Sequence, residues 1–436
     1  MDASRQAANP TPRSTRDRAC VQGALTLLLA TSLGACGGGG GDGGSPEDWL
    51  YPLTVDTDVA VVDLDGDGRQ DVLTLEQLAT SETDRKGRLL YYRQTETGAF
   101  AAPVVTVVGT YPWHFAIADL DGDGAPDIVI VDAGTDSAWL LWQDAAQRGR
   151  FEPPLQLATD IHGYDPVVAD LNGDGALDIA LPGSGSPPAL ATVRILYQDP
   201  LHAGNFLPAM DLPMPGNTAH VAVGDLNQDG RSDLAASALT AGGGATPPTI
   251  LLGYRPQLAD GSLGPFTSPA SHTGLNVARL SVADYDGDGA QDLFAYLTPY
   301  SVQYTATLTV LLQDAAPGTF LGASNTRLND VRGIDDAAFA DLNRDGRPDA
   351  AVAGFFPTGS PSTVESRVNL FAQSGGGLFA PTTVHQMPVA VSRIAAGDLN
   401  GDGATDLVAF AGAEGCVVML QSATTPGVFS TPRALR

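Results

Sequence analysis

The chain has 436 residues, with 50 acidic side chains against 23 lysines and arginines, for a formal net charge of −27. A surplus of this size excludes nucleic acid and anionic membrane surfaces as partners of a folded body. Only three cysteines are present, and Cys416 alone lies beyond the first tenth of the chain, which excludes a disulfide framework.

Residues 1–35 predict an export signal. Arg5, Arg13, Arg16 and Arg18 form a basic start, and the apolar run that follows to Ala35 is too short to span a bilayer. The run ends in Leu33-Gly34-Ala35-Cys36, which resembles the bacterial lipobox. That resemblance implies cleavage before Cys36 and lipid attachment to it. Residues 36–48 then read as the lipidated cysteine and a tether, flexible because Gly37 to Gly44 is almost all glycine. No Asp follows Cys36, so an exported, lipid-anchored envelope protein of the outer membrane is expected, touching the membrane only through its anchor.

Residues 49–436 form one array. A nine-residue stretch, Asp119-Leu-Asp-Gly-Asp-Gly-Ala-Pro-Asp127, recurs seven times at intervals of 51 to 59 residues. Such a period marks a repeat architecture. Position one is Asp63, Asp119, Asp170, Asp225, Asp284, Asp341 and Asp398. Position three is Asp65, Asp121, Asn172, Asn227, Asp286, Asn343 and Asn400. Position five is Asp67, Asp123, Asp174, Asp229, Asp288, Asp345 and Asp402. Position nine is Asp71, Asp127, Asp178, Asp233, Asp292, Asp349 and Asp406. Alternate side chains in a tight loop can face one centre. The carbonyl of position seven can join them, at Arg69, Ala125, Ala176, Arg231, Ala290, Arg347 and Ala404. Hard oxygen donors so arranged suit calcium, as in the first nine positions of an EF-hand loop, and up to seven ions are expected. The bidentate Glu of an EF-hand at position twelve is missing, and strand-like runs such as Asp127-Ile-Val-Ile-Val follow instead.

Each unit carries a short apolar strand before the loop and a second strand after it. A third strand ends in Gln in most units, at Gln94, Gln143, Gln198, Gln313, Gln373 and Gln421, and a Gly-x-Phe turn and a fourth strand follow. The fourth unit departs, with Tyr254-Arg255 near the expected Gln and Gly264 opening its turn. Seven units of four short strands predict an all-β, seven-bladed propeller with the metal loop between strands one and two. The Gly-x-Phe aromatics read as blade packing and Cys416 as a buried small hydrophobe. For ring closure, the last unit carries its own fourth strand near Ser430 to Leu435, and Leu50 to Val55 is a second candidate to pair there.

These loops and their spacing resemble the FG-GAP and VCBS repeats of integrin-α-type propellers, over about nine-tenths of the chain. The resemblance implies calcium at positions one, three, five and nine of each loop. The Phe-Gly and Gly-Ala-Pro signatures of the integrin version are largely absent, which places the chain nearer the bacterial branch.

Aligning the copies exposes a second register. Five residues before each loop stand Asp58, His114, Asp165, His220, Arg279, Asp336 and Arg393, all ionisable amid small or apolar neighbours. In a propeller the first strand is innermost, so these side chains should ring the channel mouth opposite the metal loops. They would either neutralise one another between blades or form a polar ligand site. Tyr111, Trp113, His162 and Tyr164 cluster nearby in sequence, Tyr296, Tyr300 and Tyr304 read as the long connection of the fifth blade, and Phe355 and Phe356 as that of the sixth, all candidates to contact a ligand. A monomeric, surface-tethered module binding a glycan or protein is therefore expected. A lyase-like enzyme acting on polysaccharide, with acid–base chemistry from His114, Asp165 and His220, or a scaffold subunit of an envelope complex, is the alternative.

Overall fold

The computed structural model describes residues 53–80, 84–162, 164–183, 191–240, 247–299, 306–328, 334–357, 364–411 and 415–435. The leader, Cys36, the glycine tether, Tyr300 and Tyr304 lie outside them, as do the side chains of Phe355 and Phe356. Twenty-eight strands form seven four-stranded sheets, each an antiparallel meander of consecutive strands. This is a seven-bladed β-propeller, and no helix occurs among the described residues.

The inner strands are β1 (Leu53–Val62), β5 (Pro112–Ala118), β9 (Val167–Ala169), β13 (Val221–Gly224), β17 (Leu275–Ala283), β21 (Ile334–Ala340) and β25 (Arg393–Gly397). Second strands, such as β6 (Asp127–Asp132) and β10 (Asp178–Pro182), are buried at every position. Neighbouring blades cover both of their faces, which is why these strands read as unbroken apolar runs rather than alternating ones. Fourth strands, such as β8 (Leu155–Thr159), are largely exposed and form the rim.

Seven apolar clusters fill the seven seams. Leu64, Leu73, Leu75 and Leu89 of blade one pack on Ile128, Ile130 and Leu141 of blade two, with Phe151 against them. At the closing seam, Val59, Val72, Leu90 and Tyr92 of blade one meet Leu399, Val408, Phe410 and Cys416 of blade seven. The Gly-x-Phe aromatics Phe100, Phe206, Phe320 and Phe429 likewise lie against these clusters, and Phe379 lies within one.

Ring closure uses no shared strand. Blade seven completes itself with β28 (Arg433–Ala434), paired to β27 (Cys416–Met419). Leu53 to Asp56 instead lengthen β1 and pair with β2 (Asp71–Ala79), so the second candidate for closure is corrected. The seam is tight. A Cβ on Gly397 would stand 2.4 Å from Val61 Cγ1, so the smallest residue is needed where β25 meets β1.

Two further expectations are corrected. Tyr296 is fully buried within β18 (Asp292–Pro299), not on a connecting loop. Blade four does not depart from the pattern. Its glutamine is Gln257, bridged to Leu263, with the left-handed turn residue at Gly261. Leu263 replaces the usual phenylalanine, and Gly264-Pro265-Phe266 just after it matched the Gly-x-Phe pattern in the wrong register.

Candidate metal loops and channel ring

Loop five shows how each acidic turn is built. Asp284 accepts the amide hydrogens of Gly287 and Asp288 on Oδ1, at 2.7 and 3.1 Å, and that of Gly289 on Oδ2 at 2.9 Å. Asp286 Oδ1 accepts from the Asp288 amide at 3.2 Å, and Asp288 Oδ1 from the Ala290 amide at 2.8 Å. Gly289 sits at φ +92°, where a side chain would be strained. Position four is also left-handed, and in loops four and six it is held by Gln228 and Arg344 at φ 58° and 60°. Both reach the next blade. Gln228 Nε2 donates to Asp314 O at 3.1 Å and Arg344 to Ala423 O at 2.8 Å, contacts that offset the backbone cost.

Position nine ties the loop to its blade. Asp292 Oδ2 accepts from the Tyr285 amide at 2.8 Å and Oδ1 from the Gln313 amide at 2.7 Å. Burial pushes this carboxyl up to about 6, against those hydrogen bonds, and the neighbouring Asp286 and Asp288 push the same way. Asp127, Asp178, Asp233, Asp349 and Asp406 stand at about 6 for the same first reason.

In four blades the recurring glutamine links to the loop of the preceding blade. Gln198 Nε2 donates to Leu177 O at 2.8 Å in its own blade and to Leu120 O at 2.9 Å in the preceding loop. Gln257 reaches Asp170 O at 3.0 Å, Gln313 reaches Asp225 O at 3.3 Å, and Gln94 closes the ring onto Leu399 O. Sequence reading found this glutamine but not its task, because the partner carbonyl lies a whole repeat away.

The carboxylates of positions one, three and nine come within 4.8 Å of one another in loops one, two and five, the three with Asp at position three. These oxygen clusters fit a hard cation. Like charges held this close, one of them buried, repel without one. Position five stands apart from that group. In loops one, four and six its carboxylate pairs with the arginine at position seven, Arg69, Arg231 or Arg347. In loops three and seven it accepts from Asn172 at 2.9 Å or Asn400 at 3.0 Å.

At the other end of the inner strands, the seven ionisable residues form a ring. β-Bulges immediately before Asp58, His114, Arg279 and Asp336 turn these side chains inward, as bulges do near sites. His114 Nδ1 lies 3.4 Å from Asp58 and 3.0 Å from Asp165. His220 Nδ1 lies 2.6 Å from Asp165, and Arg279 lies 3.6 Å from Asp336. Asp336 Oδ2 accepts from the Ile394 amide at 3.2 Å, and Arg393 Nε donates to Thr57 O at 2.6 Å. Burial opposes charge on His114, but Asp165 and then Asp58 outweigh it and raise the imidazole to about 9. Burial would raise Asp165, yet its two histidines hold it well below the usual carboxylate range.

Aromatic rings wall one side of the mouth. Tyr111 meets Trp113 edge-on at 6.0 Å, Trp113 lies 4.6 Å from Tyr164, and Tyr164 stacks on His220 at 5.4 Å. His162 stays outside this wall, bonded to Asp136 at 2.9 Å.

Residues 63–130 and 119–181 match an FG-GAP-like repeat, and residues 390–427 match the FG-GAP repeat. The chain therefore carries FG-GAP repeats on a seven-bladed propeller. No curated protein matches it. Among solved structures it is similar to a protein assigned as a 6-phosphogluconolactonase, from Bacteroides uniformis, at 14% identity and a TM-score of 0.51, covering 81% of this chain and 94% of that one. A puromycin hydrolase matches at 14% identity and a TM-score of 0.49, covering 87% of this chain and 53% of that one. A protein from Lactobacillus plantarum matches at 13% identity and a TM-score of 0.44, covering 76% of this chain and 84% of that one. The first of these likenesses shows a shared fold alone, and none says anything of activity.

Proposed function

We propose that the chain is a calcium-binding propeller, exported and lipid-anchored at Cys36 in the cell envelope, that binds a glycan or protein at its channel mouth. The observation that carries this reading is the convergence of seven ionisable side chains beside the Tyr111–Trp113–Tyr164 wall, on the face away from the metal loops. Polar groups beside packed aromatics are what binding surfaces use for orientation and contact.

Calcium suits the loops because every donor is a hard oxygen. Positions one, three and nine would hold it, with the position-seven carbonyl and, once turned from its present partner, position five. Its work is structural, neutralising acids that the fold brings together. The envelope assignment rests on the leader and lipobox, together with a repeat common in surface proteins.

One observation favours an enzyme as the second reading. Asp165 contacts two imidazoles, at 3.0 and 2.6 Å, an arrangement that could orient them for proton transfer. Glycan and protein arrays probed with the full chain in calcium test the first reading. Binding should be lost in Trp113→Ala and Tyr164→Ala. Release of shortened or unsaturated products, abolished by His220→Ala, would make the chain an enzyme instead.

A further inference from the structure

Seven is an odd number, and a closed ring of seven cannot alternate in charge throughout. Taken around the channel, the residues run Asp58, His114, Asp165, His220, Arg279, Asp336, Arg393. Acid and base alternate at six of the seven seams. The exception falls between blades four and five, where His220 and Arg279 are neighbours. The contacts follow the same rule. Ion contacts join Asp58 to His114, His114 to Asp165, Asp165 to His220 and Arg279 to Asp336. Asp336 reaches blade seven through the Ile394 amide, and Arg393 reaches blade one through Thr57. Among the described residues no ion pair spans the seam between His220 and Arg279.

Both groups at that gap face it with unspent capacity. His220 commits Nδ1 to Asp165 on its far side, and Tyr164 stacks on its ring, which fixes the imidazole and leaves only Nε2 to meet a ligand. Arg279 has its acid on the far side as well, at a loose 3.6 Å. Its side chain is the most exposed of those forming ion pairs in the ring, at 37%, against 5% for Asp336 and 8% for His220. Asp165 and Asp58 also act on its charge from further away, but a guanidinium fork with a single loose ion contact keeps donors for a second partner.

We propose that the gap between blades four and five, flanked by His220 and Arg279, binds the carboxylate of an acidic sugar, which supplies the acid the ring lacks. This rests on the reading of the channel mouth as the ligand face. A carboxylate matches the guanidinium fork in two parallel hydrogen bonds; phosphate and sulfate share that match, and what favours a sugar acid over them is the Trp113–Tyr164 wall beside His220, against which a sugar ring can pack. The net charge of −27 repels a densely charged polymer, so a single sugar acid or a short oligomer is the ligand expected.

Calorimetric titration of the full chain in calcium would use glucuronate and galacturonate with their short oligomers. The matched neutral sugars, inorganic phosphate and sulfate are the comparison probes. The acidic sugars should bind. Arg279→Gln should weaken them by about tenfold or more, since the ligand's charge partner is lost. Arg194→Gln, whose guanidinium is held by Asp211 on the outer strands of blade three and lies outside the ring, should change affinity by less than about threefold. Arg279→Lys keeps the charge without the fork and should fall between. Melting curves of each variant separate lost binding from lost folding. Equal binding of neutral sugars overturns the inference while leaving the ligand face intact. Acidic sugars that bind Arg279→Gln as well as the parent place the site elsewhere and overturn it too. So does phosphate or sulfate bound as tightly as the sugar acids. No binding of any probe ends the inference, and the array experiment on Trp113 and Tyr164 then decides the broader reading on its own.

Discussion

His114 carries its charge inside the propeller because two acids on neighbouring blades face it. Its value in the fold, about 9, lies above the ordinary 6.5. Its stabilising contribution is therefore complete below about 6.5 and is lost as pH rises through about 9, and it amounts to on the order of 3 kcal/mol. At fixed calcium, the urea midpoint should fall between pH 7 and 10 in the parent and far less in His114→Gln. Equal slopes in the two proteins would show that the imidazole is neutral in the fold. The ring itself was legible in the sequence, because a charged residue recurs at one place in an otherwise apolar register. Its partners were not, since bulges such as that between Pro112 and His114 set where each side chain points. Tyr296 misled for the opposite reason. A tyrosine near a loop reads as a contact residue, and only the packing of blades five and six shows it to be core.

At the scale of one loop, the seven sites differ by what already occupies position five. Arginine holds it in loops one, four and six, and asparagine in loops three and seven. Loop two is free of both, but the Arg148 guanidinium lies 3.6 Å from where a Cβ on Gly124 would stand. Loop five has four carboxylates and no such donor bonded among them. It should bind calcium most tightly, and Asp286→Ala should remove the highest-affinity step of a calcium titration, whereas Asn343→Ala should leave that step in place. The glutamine staple gives a second expectation at this scale. Gln198→Ala leaves two buried carbonyls unpaired and should cost about 2–3 kcal/mol in chemical unfolding. Gln143, whose Nε2 donates only to Pro126 O of its own blade, should cost only about 1 kcal/mol. A larger loss at Gln143 would mean that the contact between blades adds nothing. Strand order and loop position were readable here because one unit repeats seven times. Blade four was misread because Leu263 stands where a phenylalanine was sought.

Across the whole molecule, closure depends on side chains rather than on a strand exchanged between ends. Val61 against Gly397, Gln94 on Leu399 and Arg393 on Thr57 are what join blade seven to blade one. Sequence alone left this open, since both chain ends offered apolar residues near the seam. The propeller brings 24 loop acids close to its backbone amides, and their mutual repulsion bears on the four seams that Gln94, Gln198, Gln257 and Gln313 staple. Calcium should therefore hold the ring together. The most direct test is a thermal melt of the full chain with calcium and again in excess chelator. Metal bound only by the folded state adds about 2.7 kcal/mol per site at a hundredfold excess over Kd, so filling even a few sites should raise Tm by roughly 10 °C or more. A Tm that falls by that much on chelation, and recovers when calcium is restored, is the expected result. A melt unchanged by chelator would contradict the calcium-binding propeller outright.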